Sequence, residues 1–225
     1  MGHGSAHPRD PLRGVEIVDR DERVVTLTGD MIELRPLQAD DADALVKAAS
    51  DGELWRLTVT VVPSRENVDD YLVRALRGRE SGTMIPFATV HRESGTVIGS
   101  TRLWRIDREN RSLEIGATWL GQSWQRTRAN TETKLLMLGY AFDVLRCIRV
   151  QLTTDVTNEK SRRAIARLGA VEEGVIRNER IMPDGRRRDS VRFSILDIEW
   201  PAVRRRLENR LGIRPHCGHT DGDAP

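Results

Sequence analysis

The chain predicts an α/β (α+β) fold, a mixed and largely antiparallel central sheet flanked by helices. Two observations carry that expectation. Three apolar-rich segments, Pro86–His91, Val97–Ile106 and Ser112–Leu120, follow one another across the turns Glu93-Ser94-Gly95-Thr96 and Asp107-Arg108-Glu109-Asn110, as consecutive antiparallel strands do. From Ser112 to Gly169 the order is then strand, loop, helix, strand, helix. A loop between strand and helix turns backbone N–H groups and a helix dipole toward a phosphorylated ligand.

The other elements follow from local patterning. Val24–Thr28, the turn Gly29-Asp30 and Met31–Arg35 form a short hairpin. Asp40 or Asp41 caps a helix with Ala44, Leu45 and Ala48 on one face. A second helix over Glu66–Arg79 buries Val68, Leu72, Ala75 and Leu76. After the loop, Leu135, Leu138, Phe142 and Leu145 at helical spacing give a helix from about Thr131 to Leu145, with Glu132 complementing the dipole in its first turn. A strand over Arg149–Val156 leads to a helix opening at Asn158 and ended by Gly169. Val175-Ile176 and Ser190–Leu196 bracket the turn Pro183-Asp184-Gly185 as a closing hairpin, and Pro201–Leu211 is a last amphipathic helix. Residues 1–22 are expected to be a flexible arm, 23–212 one domain and 213–225 a loose tail.

The 225 residues suffice for one domain with a substantial core. Charged residues make up 31%, yet the net charge is only +2, which argues against a duplex-binding protein. Lys47, Lys134 and Lys160 are the only lysines among 36 basic residues. Such arginine richness suits carboxylate and phosphate recognition, and it equally reflects a GC-rich codon bias. Two cysteines, Cys147 and Cys217, make no framework, and no 18-residue apolar run or signal core is present. A cytoplasmic protein without membrane association is expected. His216-Cys217-Gly218-His219 offers too few ligands for a metal site, so no metal is expected.

Glu114-Ile115-Gly116-Ala117-Thr118-Trp119, Trp124-Gln125-Arg126-Thr127-Arg128-Ala129-Asn130-Thr131-Glu132, Asn158-Glu159-Lys160-Ser161-Arg162-Arg163-Ala164 and Asp184-Gly185…Arg188-Asp189 stand in an order that resembles the GCN5-related N-acetyltransferases (GNAT). The resemblance covers roughly residues 24–200 and is closest to the branch that includes the ribosomal-protein alanine acetyltransferases. It implies acetyl-CoA as co-substrate and a primary amine, peptide or small molecule, as acceptor. The family's loop pattern Gln/Arg-x-x-Gly-x-Gly/Ala falls on Gln125–Asn130, where Arg128 and Asn130 replace small residues. A residue forced into left-handed geometry there costs on the order of 1–2 kcal/mol. The resemblance implies diphosphate binding by Gln125, Arg126, Thr127, Arg128, Ala129, Asn130 and Thr131. It also implies two diverging strands whose gap takes the pantetheine arm against the backbone of Trp119 and Leu120. Trp119 and Trp124 either wall that cleft or belong to the core.

Acetyl transfer to an amine needs a neutral nucleophile and a proton for the departing thiolate. Glu114, on the strand beside the cleft and opposite the apolar positions Leu113, Ile115 and Ala117, is the candidate base. Its competing reading is a surface carboxylate paired with an arginine. Neither Tyr71 nor Tyr140 lies on the helix where the family carries an acidic tyrosine. The branch has a serine there instead, and Ser161 matches its Asn-x-x-Ser spacing, as acid and coenzyme contact; otherwise it is a first-turn serine. Asn158 caps that helix, bonds the coenzyme, or does both. Direct transfer in a ternary complex is implied, since no cysteine lies near the cleft. Asp51, Glu53, Glu66, Asp69 and Asp70 on the acceptor wall would attract a cationic amine. A homodimer is possible for the family. A non-catalytic acyl-CoA-binding module and an arginine-rich RNA- or ribosome-binding protein remain the rival classes.

Overall fold

A computed structural model of the chain describes residues 15–16 and 24–213. The strands are β1 (Val15–Glu16), β2 (Thr26–Thr28), β3 (Ile32–Pro36), β4 (Met84–His91), β5 (Thr96–Asp107), β6 (Ser112–Leu120), β7 (Arg149–Asp155), β8 (Val171–Ile181) and β9 (Arg187–Leu196). They form one sheet in the order β1-β2-β3-β4-β5-β6-β7-β9-β8. Among the described residues β6 and β7 are the only parallel neighbours, joined by α3 (Ala129–Gly139) as a βαβ crossover must be. The mixed, largely antiparallel sheet read from the sequence is therefore the one present. Of the expected arm, Val15–Glu16 pairs with β2; the rest of residues 1–22, and the tail with His216-Cys217-Gly218-His219, lie outside the described residues.

Helices α1 (Ala42–Ser50) and α2 (Val68–Glu80) cover one face of β4 and β5, burying Leu45, Ala48, Ala49, Val68, Leu72 and Ala75. On the other face, α3 packs against α5 (Trp200–Leu211), and Leu103, Leu113, Ile115, Val150, Leu152, Val191, Phe193 and Ile195 join Met137, Leu138, Val203 and Leu207 in the larger core. Glu132 fixes α3 to the β2–β3 turn, accepting the Met31 N–H at 3.2 Å and that of Asp30. The helix expected to run to Leu145 keeps α geometry only to Gly139 and closes with a π-type turn over Tyr140–Val144. In that turn Asp143 accepts from Trp200 Nε1 at 3.0 Å and from Arg204, which ties α3 to α5. The shorter helix α4 (Glu159–Ala166) follows β7.

Alternate residues of the inner strands point away from the α3–α5 core. On β6 as far as Gly116, and on β7 and β9, that second face is not covered by α1 or α2. The register places Trp104, Glu114, Gln151 and Ser194 in one row, Thr153 and Arg192 in the next, and Asp155 and Ser190 beyond. Seen from the sequence, the only hint of this polar face is the alternation of Arg188, Ser190, Arg192 and Ser194 with Val191, Phe193 and Ile195.

Candidate active site

β6 and β7 are bonded over four residue pairs, Ser112↔Arg149 to Ile115↔Leu152, and then part. The cause lies in β6. Its register against β5 shifts between Ser100↔Trp119 and Arg102↔Gly116, and Ala117 takes φ +48° at that bulge. A bulge adds a residue to one strand and sharpens its twist, so β6 bends away from its parallel neighbour. The bulge also corrects the simple alternation expected for β6. Thr118 does not share the face of Glu114; its hydroxyl meets Thr101 Oγ1 at 2.7 Å and accepts from Lys134 Nζ at 2.9 Å, on the α3 side.

At the C-terminal end of β6 the chain turns through Gly121–Arg128 into α3. The left-handed residue is Arg126 (φ +63°), whereas Arg128, where strain was feared, is helical at φ −69°, ψ −18°. Thr127 Oγ1 donates to Trp124 O at 2.8 Å and accepts from Ala129 N at 3.2 Å. The first helical bond is Glu132 N to Arg128 O at 3.0 Å. The amides of Arg126, Thr127, Arg128, Asn130 and Thr131 consequently have no partner among the described residues. Consecutive free amides at a helix N-terminus are an anion-binding cradle. The side chain of Arg128 is turned away from it, donating to the Leu211 carbonyl at the end of α5. Arg126 is exposed.

Across the gap, Asn158 caps α4 by accepting the Ser161 N–H on Oδ1 at 3.0 Å, which leaves its Nδ2 without a partner among the described residues. Lys160 donates to Gln125 Oε1, and Gln125 Nε2 donates to Leu120 O at 2.8 Å, so the mouth of α4 and the loop meet over the opening. Trp119 requires a correction. Its indole is 5% exposed in the α1–α2 core, where Nε1 donates to Tyr71 Oη at 3.2 Å. Its carbonyl turns to β5, where a Cβ on Gly99 would stand 2.1 Å from it. By strand alternation the backbone that faces the gap is that of Leu120. Trp124 is half-buried against His91, ring centroids 4.6 Å apart.

Glu114 is 1% exposed at the point where the strands separate. Burial raises its carboxyl above the usual range, opposed by the charges of Arg105 and Arg180. Arg105 Nη1 is 3.3 Å from Oε2 without hydrogen-bond geometry, so Glu114 does have an arginine beside it, but as a buried carboxylate and not the surface one of the competing reading. Arg105 also reaches Glu179 Oε1 at 3.4 Å, as does Arg192 at 3.5 Å. Asp155, fully buried, would be raised by burial, but Arg186 and Thr157 hold it below the ordinary carboxylate value. Arg186 Nη2 bonds both Asp155 Oδ2 at 2.6 Å and Thr58 O at 2.9 Å, spanning the cleft from the β8–β9 turn to the segment after α1.

Among the described residues ten buried side-chain polar atoms have no partner, and seven share this open face: Trp104 Nε1, Glu114 Oε2, Thr153 Oγ1, Glu179 Oε2, Arg188 Nε, Ser190 Oγ and Arg192 Nε. Buried polar atoms are otherwise almost always bonded, so their concentration marks a recognition surface. Its arginines contrast with the acidic residues expected on the acceptor wall, of which Asp69 and Asp70 are exposed on α2. Asp51 is occupied by Ser123 (Oγ at 2.6 Å), Glu66 by Ser64 and Glu53 by Arg56, and the cleft is lined by arginines. Cys147 lies at the other end of β6 near Ser112, and burial pushes its thiol up to about 11, unsuited to carrying an acyl group. No group of three potential metal ligands occurs among the described residues, and no described helix is long and apolar enough to cross a membrane.

Comparison with known proteins matches the model of an acetyltransferase (GNAT) domain to residues 32–171. The chain is 34% identical over 151 residues (67% of this chain, 74% of the other) to the protein named "Putative ribosomal N-acetyltransferase YdaF" from Bacillus subtilis. Among solved structures, a GCN5-related N-acetyltransferase from Brucella melitensis is 31% identical, with a TM-score of 0.73 over 90% of this chain and 89% of that one. Mycobacterium smegmatis RimJ, solved in complex with CoA-disulfide, shares the fold at 21% identity and a TM-score of 0.69, covering 84% and 90%.

Proposed function

Since this chain belongs to the GNAT acetyltransferase family and is an N-acetyltransferase, we propose that it moves an acetyl group from acetyl-CoA directly to a primary amine held on the open face of β6, β7 and β9. The observation that carries this reading is the run of free amides at the mouth of α3, aimed at a gap where β6 and β7 stop pairing. Acetyl-CoA, when bound, supplies a thioester carbonyl for attack by the amine.

The residues divide the work by position. The amides of Arg126, Thr127, Arg128, Asn130 and Thr131 hold the diphosphate, and Ala129 completes the turn they sit on. The backbone edge of Leu120 faces the pantetheine arm, and Asn158 Nδ2 is free to donate to an amide carbonyl of that arm because Oδ1 is spent on the cap. Glu114 takes the ammonium proton. Its raised pKa brings base and ammonium closer in proton affinity, which favours transfer near neutral pH. As the new C–N bond forms and the C–S bond breaks, the Ser161 hydroxyl, half-buried at the α4 mouth, gives its proton to the leaving sulfur and is restored, through water, by the second proton that the nitrogen sheds.

Thermal melting with and without acetyl-CoA tests the first half: a rise of several degrees at millimolar coenzyme is expected. Release of free thiol with a panel of amines tests the second. A stabilised protein that releases no thiol with any amine would leave only coenzyme binding.

A further inference from the structure

Acetyl transfer accounts for Glu114 but not for the excess of cations around it. Among the described residues, Arg105, Arg180, Arg186, Arg188 and Arg192 share the open face with Glu114, Asp155 and Glu179, and with Glu173, which Arg149 and Ser194 hold. These carboxylates are already engaged: Asp155 by Arg186, Glu179 by Arg105 and Arg192, Glu114 by Arg105. Two guanidinium groups are left over. Arg188 is 7% exposed, its Nε is sealed and unpartnered, and its nearest carboxylate oxygen, Asp155 Oδ2, is 3.8 Å away, beyond hydrogen-bond reach. Arg180 lies over the Trp104 ring at 4.6 Å and makes no ion pair among the described residues.

The register sets these two directly opposite each other, Arg180↔Arg188, across the β8–β9 ladder. Like charges at opposed positions repel. Burial and then the Arg180 charge both hold the Arg188 guanidinium below its usual value. A buried, forked cation that has only a distant ion pair with Asp155, no hydrogen-bond partner among the described residues, and a second cation facing it is complementary to an anion with at least two acceptor oxygens. Arg180 lies close enough to Glu114 to act on its carboxyl as well, so this seat and the base belong to one cluster.

We infer that the acceptor amine carries an anionic group, carboxylate or phosphate, that seats between Arg188 and Arg180 while its amino group faces Glu114. This rests on the open face being the acceptor cleft. The acceptor is thereby an acidic amine, the opposite of the cationic acceptor that the exposed carboxylates of α1 and α2 suggest.

Matched amines test it: alanyl-aspartate amide against alanyl-asparagine amide, and glucosamine 6-phosphate against glucosamine. Calorimetric binding to the protein saturated with CoA, which cannot transfer, reads the anion seat without turnover. The anionic member of one pair is expected to bind on the order of tenfold tighter, the value of a charge-assisted hydrogen bond, and the pair that responds identifies carboxylate or phosphate as the source. Arg188→Gln reduces that preference to threefold or less while the CoA-induced melting shift persists. Arg180→Gln, at a less buried position, does the same should Arg188→Gln fail to fold. Equal binding within both pairs, or a preference that survives both substitutions, overturns the inference. Anion preference without thiol release sinks the transfer reading alone; thiol release without anion preference sinks this one alone.

Discussion

The two ends of the cleft are made of different material. At the coenzyme end the donors are main-chain amides, and the side chains there are turned to other uses: Arg128 to Leu211, Thr127 to Trp124 and Ala129, Gln125 to Leu120 and Lys160. At the proposed acceptor end the polar groups on the face are side chains, seven of which carry a buried unpartnered atom among the described residues. A site built from backbone depends on where the chain turns and is nearly indifferent to which residues make the turn. On the proposed reading, this would let arginine and asparagine stand where the resemblance implies small residues. A site built from side chains has no such tolerance, and selectivity is concentrated in it.

The largest effect should come from the acceptor end. Glu114→Gln is expected to lower kcat by 10²-fold or more, the order of general-base catalysis, with coenzyme affinity unchanged. Since the working form is deprotonated and its pKa is raised by burial, wild-type thiol release climbs with pH through a limb above the usual carboxylate range. That limb disappears in the variant; its survival would assign the base elsewhere.

A second prediction concerns Lys134, which is buried with, among the described residues, Thr118 Oγ1 as the only hydrogen-bond partner of its ammonium and no carboxylate beside it. Burial pushes its pKa down to about 7. The unfolded chain thus binds the proton more tightly, and the penalty is full below pH 7 and fades as pH rises toward the unfolded value. Lys134→Met should be more stable than wild type by on the order of 3 kcal/mol at pH 6, with the difference shrinking by pH 10, as urea denaturation at the two pH values would show. A pH-independent difference would mean that the folded and unfolded chains bind the Lys134 proton equally, its pKa unmoved by burial.

Asn158 joins both kinds of construction, so its two atoms can be separated. Asn158→Ala should cost about 1 kcal/mol of stability through the lost cap and severalfold in coenzyme affinity. Asn158→Asp keeps the cap and loses only the donor, so melting recovers while calorimetric affinity does not. The smallest effect belongs to Arg128→Ala, expected to change coenzyme affinity by less than about twofold, since a hydrogen bond already committed elsewhere has little to give. A tenfold loss would show its side chain reaching the diphosphate.

The same division governs what could be read in advance. β6 was legible to the residue because tight turns bracket it and Leu113 and Ile115 alternate with polar positions. The α4 mouth was legible because an Asn cap is a local, three-residue event. β8 was not: only Val175-Ile176 stood out, yet the strand runs Val171–Ile181 as an exposed edge, where neither face is core and alternation vanishes. The bulge at Ala117 has no sequence mark either, so the turn of Thr118 to the far face was invisible. The acceptor cluster was missed for a further reason. Arg105, Glu114, Glu179, Arg188 and Arg192 come from four strands, and only the register assembles them.

The short parallel join between β6 and β7 has a mechanical meaning. Four rungs are all of the strand ladder between two leaves, β1–β6 on one side and β7–β9 on the other, the rest of the join being the shared core beneath. A ligand that lies along the opening adds bonds where the ladder leaves off and behaves as an inserted strand, stiffening the leaf that bears Arg188 and Arg192. On the proposed reading, a coenzyme seated in that opening would tie the two leaves together before an amine is held on the face beside it.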